Sequence, residues 1–118
     1  MSSHDDIEHS LAQIRTRFVD SLAANYSVIS ALDIEVKNSS ATIEMVADVY
    51  VIAHKITGVA ATLGMPILGE KANRLEAELS RLLETDRLPS DVRSLSEKLT
   101  DIILQIKVVL KMHPDVEI

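Results

Sequence analysis

The sequence predicts an all-α fold, an antiparallel four-helix bundle, and three observations point there. Apolar residues recur at three- and four-residue steps in four successive segments. Short linkers, polar or marked by glycine and proline, separate those segments, and short linkers lay neighbouring helices antiparallel. The core has to be aliphatic, because hydrophobic residues make up 47% of the 118-residue chain but aromatics only 3%, with no Trp. Three Gly and three Pro are too few for a loop-rich or all-β domain. The length fits one small domain spanning residues 1–118, with residues 114–118 as a loose tail.

In the first segment Ile7, Leu11, Ile14, Phe18, Leu22, Tyr26, Ile29 and Leu32 form the apolar stripe, while Gln13, Arg15, Arg17 and Asp20 fall elsewhere on the wheel. The spacing predicts a helix to about Val36, with a candidate break near Asp33. Lys37-Asn38-Ser39-Ser40 is a polar linker that offers N-caps. The second stripe is Val46, Val49, Ala53, Ile56, Ala60 and Leu63. Gly64 and Pro66 then punctuate the chain, glycine just past a helix end and proline at the next start. The third stripe is Leu68, Ala72, Leu75, Leu79 and Leu82, followed by a break at Asp86-Arg87-Leu88-Pro89-Ser90 with Ser90 as N-cap. The fourth is Val92, Leu95, Leu99, Ile102, Ile106 and Val109, ending near His113-Pro114. The first two helices read as longer than the third.

Charge and composition narrow the function. A net charge of −6 with few aromatics supplies neither phosphate-neutralising charge nor stacking platforms, so nucleic acid is not an expected partner. The chain has no cysteine, hence no disulfide framework and no thiolate metal site. The start, MSSHDDIEHS, is polar and acidic, unlike a signal peptide, and hints at a whole protein. No apolar run approaches the ~20 residues of a membrane span. The expectation is a monomeric cytoplasmic domain without membrane partners. Metal binding is not expected, because di-metal bundles use Glu-x-x-His pairs on two helices and none is present; Asp6 and His9 have a comparable spacing once.

One stretch does not serve helix formation. Ala53-His54-Lys55-Ile56-Thr57-Gly58 places a histidine and, one turn on, a glycine that costs a helix about 1 kcal/mol relative to alanine. With Ala53 facing the core, His54 lies about 100° round, at the edge of the stripe or beyond it. Its neighbours along the surface are Tyr50, Val51, Thr57 and Gly58, then Ala61 and Met65, a small, mildly apolar surface of the kind a partner protein covers. Gly58 clears approach to the imidazole and Lys55 adds a cation on the flank. An exposed imidazole on a rigid element suits a nucleophile that accepts a phosphoryl group. Each residue alone also has a plainer reading: a solvated histidine, a helix–helix contact at Gly58, core positions for Val51 and Met65, ordinary surface charge at Lys55. His4 and His9, near a fraying N-terminus, and His113, at a helix end, are weaker candidates. There is no Gly-rich phosphate loop, so no nucleotide site is expected.

The run Ala53-His54-Lys55-Ile56-Thr57-Gly58-Val59-Ala60-Ala61-Thr62-Leu63-Gly64, followed by Leu68, Ala72, Leu75 and Glu76, resembles the histidine phosphotransfer (HPt) domain family. The family pattern is roughly A-H-x-L-K-G-S-A-x-x-L-G, then L, A and L-E on the next helix. The resemblance covers about Val49 to Leu83. It implies a four-helix bundle that relays phosphate between receiver-domain aspartates in multistep two-component signalling, a phosphocarrier and not an enzyme. His54 would be the phosphoacceptor, Gly58 the clearance residue and Lys55 a charge that holds the phosphate. Tyr50, Val51, Ala61 and Met65 would line the docking face for response-regulator receivers or a hybrid kinase. The Mg²⁺ would sit on the receiver, leaving this chain no cofactor of its own.

Two positions depart from the pattern. Thr57 stands where the family usually has Lys; it offers one neutral hydrogen bond, and charge-assisted bonds are roughly twice as strong. Val59 stands where a small residue is usual. A degenerate HPt acting as a helical interaction module, or a histidine kinase dimerisation fragment, are the alternatives. Against the latter, kinase dimerisation helices typically carry an acidic residue directly after the histidine, where this chain has Lys55.

Overall fold

The computed structural model describes residues 3–113, with side-chain surroundings from residue 6 onward. Four helices follow in order: α1 (Ser3–Lys37), α2 (Ile43–Val59), α3 (Pro66–Thr85) and α4 (Arg93–Lys111). Each packs on its two neighbours in a ring, α1 on α2 and α4, α3 on α2 and α4. The short connections make the sequence up-down-up-down, as expected for an antiparallel bundle. Among the described residues no helix is long and apolar enough to cross a membrane.

The core is aliphatic. Leu22, Ile29 and Leu32 from α1, Val46, Val49, Ala53 and Ile56 from α2, Leu68, Ala72, Leu75 and Leu79 from α3, and Leu95, Leu99, Ile102 and Ile106 from α4 are buried. These are the positions of the four stripes, so the three- and four-residue spacing did identify the packed faces. A buried polar clamp joins α3 to α4. The Glu78 carboxylate accepts from Ser94 Oγ at 2.8 Å and Lys98 Nζ at 3.0 Å, and pairs with Arg81 at 3.1 Å.

The α2–α3 connection positions the site. Helix α2 ends at Val59, and Ala60 and Leu63, although buried, already belong to the turn. The Met65 N–H donates to Ala60 O at 2.8 Å while Gly64 takes φ +80°, a backbone conformation that strains any residue with a Cβ. Pro66 starts α3, where its missing N–H costs nothing.

Several local expectations are corrected. α1 does not break at Asp33, because Lys37 Nζ, one turn on, pairs with its Oδ2 at 2.8 Å and the helix runs through to Lys37. The cap of α2 is Thr42, beyond the polar linker, accepting from the Met45 N–H at 3.2 Å. The cap position of α4 is Val92, not Ser90. Asp91 Oδ1 takes the Arg93 N–H at 3.1 Å, which satisfies the first turn from further along the chain. α2 has 17 residues and α3 has 20, so only α1, with 35, exceeds the third helix. The tail, residues 114–118, lies outside the described residues.

The largest correction concerns α1. Ile7, Leu11 and Ile14 carry the same periodicity as the core stripe but are 58%, 37% and 46% exposed. Helix α1 is about 52 Å long and its neighbours about 26–30 Å, so its first third has no helix opposite it. Arg15 Nε donates to Leu63 O at 3.2 Å, tying α1 to the α2–α3 turn, and residues before that point project beyond the bundle. The long axis of the molecule, 59 Å against 26 and 20 Å, reflects this overhang.

Candidate functional site

His54 sits on the fourth turn of α2, beside the buried Ala53, with two thirds of its side chain exposed. Its ring is held from two directions. Nδ1 lies 2.7 Å from Glu76 Oε2 on α3, and the ring stacks on Tyr50, one turn back, at 6.1 Å between centroids and 18° between planes. Tyr50 is half-buried against the core, so it forms a fixed support. Glu76 is mostly covered, its side chain only 18% exposed. An ionised carboxylate only accepts, so in this pair Nδ1 donates and the lone pair of the neutral ring stands on Nε2.

One turn beyond His54, a Cβ built on Gly58 would meet nothing within 4 Å. The reading of Gly58 as a close helix–helix contact is therefore wrong; the space beside the imidazole is open. Lys55 is exposed. Thr57 is half-buried, and its hydroxyl donates to Ala53 O at 2.8 Å, so its proton is engaged inside the helix.

The surface around His54 divides in two. Val51, 52% exposed, and Ala61, in the turn, face solvent, whereas Tyr50 and Met65 pack partly against the core. The core reading of Val51 is thus corrected, and that of Met65 holds in part. Ile67, 57% exposed at the start of α3, extends the apolar surface and was not anticipated. Glu76 is the more important omission. Its position after Leu75 entered only through the resemblance, with no role attached. The contact it makes spans 22 residues, and helical spacing within one segment cannot register it.

The other histidines lie elsewhere. His9 is exposed on the α1 overhang, His113 follows α4, and the side chain of His4 falls outside the described residues. Among the described residues no group of three or more His, Asp or Glu is placed to hold a metal ion. Comparison of the chain with protein-family models, with curated proteins and with solved structures finds no match.

Proposed function

We propose that this chain is a histidine-containing phosphocarrier of the HPt kind, relaying a phosphoryl group between receiver-domain aspartates in the cytoplasm. The observation that carries the reading is the imidazole of His54, exposed, with Nδ1 bound to Glu76 and open space one turn on at Gly58. The Nε2 lone pair attacks phosphorus of a receiver's aspartyl phosphate, forming an N–P bond. The bond from phosphorus to the aspartyl oxygen breaks, and the carboxylate leaves with the electron pair. The ring, now cationic, keeps its Nδ1 proton, and the Glu76 carboxylate stabilises that charge. Transfer to a second receiver reverses these steps. The Mg²⁺ and the aspartate belong to the receiver, which docks over Val51, Ala61 and Ile67, with Tyr50 and Met65 beneath.

Incubation with a phosphorylated receiver should place an acid-labile label on the protein, and His54→Gln should abolish it. Label that persists undiminished in His54→Gln would overturn the assignment.

Thr57 favours a second reading, a helical module that binds a partner without covalent chemistry. With its hydroxyl committed to Ala53 O, this position brings neither charge nor a free proton to a phosphate. Partner binding without any labelled histidine, unchanged in His54→Gln, would select it. The kinase-fragment alternative gains no such support, since one chain here closes its own bundle of four helices.

A further inference from the structure

We propose that the α1 overhang is a self-association surface, and that its occupant is the overhang of a second copy lying antiparallel. Ile7, Leu11, Ile14 and the half-buried Phe18 follow at steps of four, three and four residues, a spacing that gives a narrow coiled-coil seam. The first three are exposed on the side of the helix that carries Leu22 and Ile29 into the core further along. The seam is therefore the core stripe continued past the point where this chain supplies a partner. The step from Arg15 to Leu63 O marks that point.

Charge selects both the occupant and its direction. Among the described residues the outer end of the overhang carries Asp6 and Glu8, and the inner end Arg15 and Arg17, with Asp20 further along. Two parallel copies would set acid against acid and base against base. Two antiparallel copies set the acidic end of each beside the basic end of the other. In that register Leu11 packs on the second copy's Ile14, and Ile7 reaches the uncovered edge of the second copy's Phe18, whose other side packs on its own core. Such an interface is isologous and closes as a dimer. Arg15 spends one guanidinium donor of several on Leu63 O, leaving others for the facing acid.

The contact is short. The projecting residues span only about 20 Å of helix, and the area two such segments bury falls below the ~1,600 Å² of a standard stable interface. The dimer is accordingly weak and forms with rising concentration. His54 lies about two and a half turns back from Leu63, so both copies keep that face open.

Sedimentation equilibrium from about 10 µM to about 1 mM tests this. The mass should rise from the 13.0 kDa of one chain toward twice that value. Leu11→Glu, at a position outside the core, should weaken association at least ten-fold while leaving the helical circular dichroism intact. Ile7→Glu, further out, should do the same. The chain has no cysteine, so Asp6→Cys carries a single spin label. Antiparallel pairing places the two labels about 20 Å apart along the seam, parallel pairing about 10 Å apart. A monomer throughout, a dimer undiminished in both Glu variants, or the shorter label distance each overturns the proposal.

Discussion

Glu76 and Glu78 sit on the same helix, two residues apart, and each reaches across to a neighbour. Glu78 turns to α4 and is met by a hydroxyl and an ammonium there and by a guanidinium from its own helix. Glu76 turns to α2 and is met by one imidazole nitrogen, whose ring leaves its other nitrogen at the surface. The first arrangement is closed, because the carboxylate meets all its partners within the fold. The second is open, because the group held by the carboxylate has a lone pair directed at whatever approaches from outside. The difference between the two carboxylates is thus whether the group each one holds is used up inside the fold or keeps an atom at the surface; under the proposed function, that atom is the nucleophile.

The largest effect on that comparison comes from Glu78→Ala. It leaves Lys98 and Ser94 only each other, Nζ to Oγ at 2.7 Å, and should cost about 1–3 kcal/mol in a denaturant titration, with the proposed transfer to His54 unchanged. Its pH dependence has a definite sign. Burial alone pushes the Glu78 carboxyl up, but the hydrogen bonds from Ser94 and Lys98 and the charges of Lys98 and Arg81 outweigh it and hold it below the ordinary value of 4.5. A group depressed on folding contributes stability that is present above that ordinary value and lost as the pH falls through the folded one. The gap between the wild type and Glu78→Ala should therefore be full at pH 7 and shrink in acid.

Glu76→Gln should show the opposite profile. Stability should change little, while the proposed transfer slows by roughly ten-fold or more, the scale on which metal-bound histidines respond to loss of an orienting partner. If Glu76→Gln transfers at the wild-type rate, the open carboxylate has no preparatory role. Gly58→Ala should stabilise the protein by about 1 kcal/mol, since its Cβ enters free space, and Gly58→Phe should block the receiver. The smallest effect is expected from Thr57→Lys. It restores a cation near the imidazole and should accelerate transfer a few-fold in a phosphoryl-transfer time course, in line with the greater strength of charge-assisted bonds.

How much of this was legible in the sequence depends on whether a property belongs to one helix or to two. The stripes, the break at Gly64 and Pro66 and the exposure of His54 follow from spacing within a segment, whereas the earlier end of α2 at Val59, which takes Ala61 and Met65 off the helix, does not. Whether a stripe is buried does not. Ile7 and Ile29 obey the same periodicity, yet one faces solvent and the other is sealed, because only the latter has α4 and α2 alongside. The His54–Glu76 contact failed to appear for the same reason, being a relation between two helices whose rotation no single pattern specifies. The start of α4 was misplaced on a finer scale, where Asp91 competed with Ser90 to hold the first turn and won.

The stacking of Tyr50 on His54 has an optical consequence. The chain has no Trp and two Tyr, one of them this ring and the other, Tyr26, lying under Lys107 on a different face. Tyrosine emission therefore comes in part from a fluorophore stacked on the His54 imidazole. In Tyr26→Phe all of it does, and converting the neighbouring ring to a cation or a phosphoramidate should change the quantum yield. Under the proposed function, phosphorylation of His54 would be followed in real time and without label by a signal that His54→Gln removes.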